Sequence, residues 1–145
     1  MGAGVVCVGV LAWLAALSAY DVRERRLPNH LTLPGAAVIL ALAALVGRGV
    51  PALAGAAALT VLYLVVHLSA PAAMGAGDVK LAIGVGALTG GFGFDVWVLA
   101  ALAAPLLTGV WAVVAVIRRT GSAVPHGPSM CLASAAAVAL AICGV

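Results

Sequence analysis

The sequence predicts an all-α integral membrane protein with about six transmembrane helices, both termini facing outward and the fourth helix short. Three observations carry this reading. Of 145 residues, 66% are hydrophobic and only 8% are charged, against about 25% charged in ordinary soluble domains. A mean hydropathy of +1.27 leaves too few polar side chains to clothe a soluble surface, and it excludes disorder for the same reason. The charges also fall almost wholly in short connections between apolar runs.

A helix that crosses the hydrocarbon core needs about 20 mostly apolar residues. Dividing the chain at its polar and Gly/Pro-rich points gives segments 3–20, 31–47, 51–70, 79–91, 95–117 and 128–145. Nothing charged precedes Asp21 and three arginines follow it, so the first segment is expected to be a retained span, not a signal peptide. The second and third are set off by the polar stretch 21–30 and by Gly47-Arg48-Gly49. The fourth, 79–91, is too short to cross without tilt, local thinning or unwound ends. It follows Met74-Gly75-Ala76-Gly77-Asp78, and irregular backbone at membrane depth is tolerated only where protein or a water-filled cavity covers it. Inside it, Gly86-x-x-x-Gly90 suggests a close helix contact. The fifth and sixth segments are separated by the stretch from Arg118 to Gly127, near which Ser122 and Ser129 read as turn residues in a Gly/Pro loop. Counting crossings puts Arg23, Arg25, Arg26, Lys80, Arg118 and Arg119 on one side and Arg48 on the other, so the first side is expected to be cytoplasmic. No repeat of fixed period divides the chain, which is read as one domain over 1–145.

Several function classes are excluded by what is missing. A formal charge of +3 from seven basic residues does not make the stripe that nucleic acid requires. Arg23, Arg25 and Arg26 are better suited to anionic lipid headgroups. Cys7, Cys131 and Cys143 are odd in number with no C-x-x-C pair and read as small packing residues. There is no H-E-x-x-H, and His30, His67 and His126 lie too far apart for a local metal motif; His67 reads as a packed or interfacial side chain. No G-x-S-x-G elbow occurs. The run 75–78 is not a dinucleotide fingerprint, because Lys80 stands where a third glycine belongs. No metal and no cofactor are expected.

Four acids remain. Asp95 lies on the outer side and Glu24 among arginines, and both read as solvated loop acids. Asp21 and Asp78 each abut the cytoplasmic end of an apolar span, and two intervening crossings return the chain to the same face, so they can meet. An ionised Asp at a helix centre costs about 2.5 to 3.5 kcal/mol on insertion scales, so acids near membrane depth usually pair or line a polar cavity. Two facing carboxylates share a proton and leave one base and one acid, the arrangement that activates water on an amide. Chemistry alone leaves a structural role open, with Asp21 an interfacial helix end and Asp78 an N-cap of the fourth segment. Against that stands the flanking of Asp78 by Gly75 and Gly77, since glycine permits positive φ and close approach of another backbone, as an extended peptide substrate requires.

The runs Asp21-Val-Arg-Glu-Arg-Arg-Leu-Pro-Asn and Gly75-Ala-Gly-Asp-Val-Lys resemble the two catalytic motifs of the type IV prepilin peptidase family of GxGD intramembrane aspartic proteases. Pro125-His126-Gly127-Pro128 is similar to that family's Pro-x-Gly-Pro turn. The resemblance implies that Asp21 and Asp78 are the catalytic aspartates, that Gly75 and Gly77 form the GxGD turn, and that Lys80, Pro28 and Asn29 support the motifs. It implies removal of a short basic leader from prepilin-like proteins, on the cytoplasmic side of a bacterial or archaeal cytoplasmic membrane, after a glycine that precedes the substrate's apolar helix. Longer members carry an extra N-terminal region with paired cysteines and also methylate the new N-terminus. Here the first span begins almost at Met1, which implies a short, peptidase-only form. Whether it forms a homo-oligomer stays open. Two other classes compete: a non-catalytic membrane scaffold keeping the fold, which loss of either Asp would favour, and a small channel or transporter subunit, for which internal symmetry or a polar stripe would be expected.

Overall fold

The structure, a computed structural model, describes residues 2–121 and 123–144, and for Ala3 its backbone only. Ser122, read above as a turn residue, lies outside the described residues. Six α-helices make up the fold among these residues: α1 (Gly2–Glu24), α2 (Asn29–Leu45), α3 (Gly49–Ser69), α4 (Ala76–Phe92), α5 (Phe94–Ile117) and α6 (Gly127–Cys143). They match the six apolar segments in order. Helices α1, α3 and α5 are long and apolar enough to cross a membrane, while α2 and α6 are shorter apolar helices.

Three boundary expectations change. Helix α1 continues through Asp21 to Glu24, so Asp21 is a helical residue and not the first residue of a loop. Helix α4 takes in Ala76, Gly77 and Asp78 at its start and Phe92 at its end, which gives it the same 17 residues as α2 and α6. Glycine is a weak helix former, but ten of the residues of α4 are buried, and tertiary packing overrides that propensity. Ser129 is not in a loop either; it sits in α6, buried, behind Pro128 at the helix start, where a missing N–H costs nothing.

Helix α4 is the centre of the bundle, packed on α2, α3, α5 and α6. Its tightest partner is α3, and the approach depends on absent side chains. A Cβ on Gly86 would lie 2.5 Å from the Gly55 carbonyl oxygen, and one on Gly90 would lie 2.7 Å from that of Pro51. The expected Gly86/Gly90 contact is therefore present, with Gly55 as its partner. The Gly55 carbonyl also accepts from Trp97 Nε1 at 3.0 Å, which ties α5 to the same seam. On the opposite flank the Trp13 indole N–H donates to Leu31 O at 2.8 Å, its ring lodged where any Cβ on Gly35 or Gly84 would strike it. Arg48 donates to the Gly91 and Phe92 carbonyls at 3.2 and 3.4 Å, closing the C-terminal end of α4.

The outward faces are apolar. Val50, Leu45, Phe94 and Val116 are among many large hydrophobic side chains left exposed, far beyond what a protein surrounded by water tolerates. With three span-length apolar helices, they mark a membrane protein.

Candidate active site

Asp21 near the end of α1, Asp78 in the first turn of α4, and the start of α6 all lie at one end of the bundle. Asp21 and Asp78 are buried at 8% and 9% exposure, whereas Glu24 and Asp95 are exposed. Asp95 is in the first turn of α5 rather than in a loop, where its charge suits the helix dipole. The two buried acids line one cavity of about 560 Å³, together with Glu24, Arg25, Arg26, Leu27, Pro28, Asn29, Gly75, Gly77 and Lys80. The α1 and α4 backbones stay apart among the described residues; the two helices meet through the Trp13 ring at Gly84, and the two acids come together as walls of this shared cavity.

Each acid has its own support. One oxygen of Asp21, Oδ2, accepts the backbone N–H of Gly127 at 3.0 Å. Glycine lets the turn close on the carboxylate without displacing it, because a Cβ there would lie 2.5 Å from that oxygen and 3.0 Å from Cγ. The Pro-x-Gly-Pro turn thus works as a backbone clamp on Asp21 from the far end of the chain. Asp78 is not the N-cap of α4; that position is Gly75, and Asp78 N donates to Gly75 O at 3.1 Å.

The positive φ that glycine permits is not used beside Asp78. Gly75 has φ −74°, Gly77 is helical, and neither is among the positive-φ residues. A Cβ on Gly75 would meet Asp78 Oδ2 at 3.7 Å and Gly77 N at 3.9 Å, and one on Gly77 would meet Leu27 Cβ at 3.2 Å. Their contribution is the side chain they lack, which leaves the cavity open in front of Asp78. Lys80 Nζ donates to Asn29 Oδ1 at 2.8 Å, joining the two motifs across the cavity, and Pro28 supplies the extended residue from which α2 starts.

A model of the type IV leader peptidase family matches residues 8–113, a stretch that includes both buried aspartates and Lys80. The chain belongs to this family. Comparison with curated proteins and with solved structures gave no match. As a member of a peptidase family it is a hydrolase by class. The family match ends before Pro125, so the Gly127 clamp is a finding of the structure.

Among the polar side chains around the site, Tyr63 and Thr108 carry no signal in the sequence. His67 is a packed residue, bonded through Nδ1 to Met74 O at 2.7 Å. His126 is half-buried between Tyr63 and Thr108: Nε2 lies 2.9 Å from Tyr63 Oη and Nδ1 lies 2.6 Å from Thr108 Oγ1. Burial pushes the His126 pKa below its ordinary value, so the ring is neutral at pH 7. No local motif announces these residues; the one available signal was that His126 occupies the variable place of the Pro-x-Gly-Pro turn. Among the described residues, no cluster of His, Cys, Asp and Glu could hold a metal ion.

Proposed function

We propose that this chain is a membrane-embedded aspartic endopeptidase that removes a short basic leader from type IV prepilin-like proteins. It acts at the cytoplasmic face of a bacterial or archaeal cytoplasmic membrane, as one domain over residues 1–145 whose six helices all span the bilayer with both termini outward. The observation that carries the reading is that, of four acids, only Asp21 and Asp78 are buried, and both line the same polar cavity.

The chemistry follows from that pairing. Two facing carboxylates share one proton. The ionised acid takes a proton from a water between them while the protonated acid donates to the scissile carbonyl oxygen, and the hydroxyl adds to the carbonyl carbon. Collapse of the tetrahedral intermediate returns a proton to the leaving amine and breaks the C–N bond. Arg25 and Arg26 line the cavity and disfavour seating the leader's cations inside it, so the leader runs outward to anionic headgroups with the scissile amide at the acids.

Purified protein and a prepilin-like substrate test this directly. Asp21→Asn and Asp78→Asn should each remove nearly all cleavage while insertion is retained, because groups acting as one unit are lost together. Asp95→Asn should cleave almost normally. A robustly active Asp78→Asn protein would end the aspartic-protease reading.

A further inference from the structure

The Gly127 clamp raises the question of what holds the clamp. Residue 126 caps the start of α6, and its carbonyl accepts Met130 N at 3.1 Å. The turn is therefore fixed on the helix side. On the other side stands the His126 ring, bonded to Tyr63 of α3 and Thr108 of α5. Donor and acceptor counting sets the direction of this chain. Thr108 Oγ1 also lies 3.1 Å from Ala104 O, which can only accept. With the Thr108 proton spent there, Nδ1 must carry the imidazole hydrogen and donate to Oγ1, which leaves Nε2 to accept from the Tyr63 hydroxyl. Every polar atom of the chain is then satisfied, and one residue links α3, α5 and α6 immediately before the N–H that engages Asp21. Tyr63 in turn stands near enough to Asp78 for the two to interact electrostatically.

We propose that His126 is a positioning residue for the reaction: the Tyr63–His126–Thr108 chain anchors the α6 turn so that Gly127 N–H sets the rotation of the Asp21 carboxylate toward Asp78. This rests on the aspartic-protease reading above. Ring nitrogens withdrawn from water are bonded in any packed histidine; what makes this ring an anchor is that its two partners stand on different helices, Tyr63 on α3 and Thr108 on α5, so it cannot pivot about a single bond.

The experiment measures kcat and KM on a prepilin-like substrate for the full chain in lipid nanodiscs, with thermal unfolding recorded for each variant. Tyr63→Phe removes one hydroxyl and should lower kcat about tenfold, and His126→Phe, which loses both bonds, about 100-fold, with KM within about twofold. The double variant should be no worse than His126→Phe alone, since both act through one chain. His126→Gln, which keeps a donor and an acceptor, should recover to within about tenfold of wild type. Unchanged kcat in Tyr63→Phe, or losses that multiply in the double variant, or a change confined to KM, would overturn the proposal. Where His126→Phe does not fold, Tyr63→Phe and His126→Gln decide it. Asp78→Asn runs alongside: if it cleaves, the protease reading itself fails, whereas a dead Asp78→Asn beside fully active Tyr63→Phe and His126→Phe sinks only the positioning role.

Discussion

Gly127→Ala is the sharpest test of how Asp21 is held. The added Cβ would stand 2.5 Å from Asp21 Oδ2, where ordinary contacts begin at 3.4 Å, so the carboxylate or the turn has to move by about 1 Å, a displacement that costs on the order of 100-fold in rate. The same shift stretches the 3.0 Å N–H···O bond beyond hydrogen-bonding range. A bond to a charged group contributes about 1.5–3 kcal/mol, equivalent to roughly 10- to 150-fold, so the two routes agree. Stability should change less. Gly127 does not have positive φ, so alanine suits the backbone and gains about 0.4–1 kcal/mol from the unfolded chain, against about 1–3 kcal/mol for overpacking. Gly109→Ala, in α5, is the control: its Cβ meets nothing within 4 Å. Cleavage of a prepilin-like substrate should fall about 100-fold in Gly127→Ala and stay within about threefold of wild type in Gly109→Ala. Wild-type rates in Gly127→Ala would refute the clamp.

Gly86→Val drives a side chain into the Gly55 carbonyl and should cost about 3 kcal/mol, the upper end of overpacking because the struck atom is backbone; Gly9→Val, with open space around its Cβ, should unfold like wild type in the same denaturation series. Single cysteines after Asp21 and near Val124 should label from the cytoplasm and one near Arg48 only from outside, given six basic residues against one; labelling of the first two from opposite faces would mean that the span count is off by one. Supplied with substrate and a labelled methyl donor, the protein should yield a cleaved product with an unmodified N-terminus, because the short connections between its described helices offer little material for a pocket around a charged, adenine-bearing cofactor; label on the product would defeat this.

The helices were legible because lipid-phase composition is a coarse, repeated signal. Every apolar segment corresponds to a helix, and the errors sit at ends where glycines and charged residues were read as breaks. Asp21 and the residues 76–78 are helical despite that reading; Asp21 and Asp78 are buried against neighbouring helices, which outweighs local propensity. Gly86 and Gly90 could be recognised from their spacing on one helix. Gly55, which receives them, stands alone in an Ala-rich run and has no spacing to be read.

The site divides along the same physical line. Asp21 and Asp78 were legible because acids are scarce in this chain and costly at membrane depth, so scarcity itself selects them. The elements that orient them are backbone groups and neutral polar side chains, which cost little and leave no such trace. Gly127 reaches Asp21 across 106 positions, and Tyr63 reaches His126 across 63; neither pairing has a local spacing. A glycine next to an acid suggests both positive φ and room for another backbone. Gly75 and Gly77 do not use the first, and they leave the cavity clear, while the Cβ that would strike a carboxylate is one on Gly127. A buried acid can be found by its cost, but what holds it has to be found by its contacts.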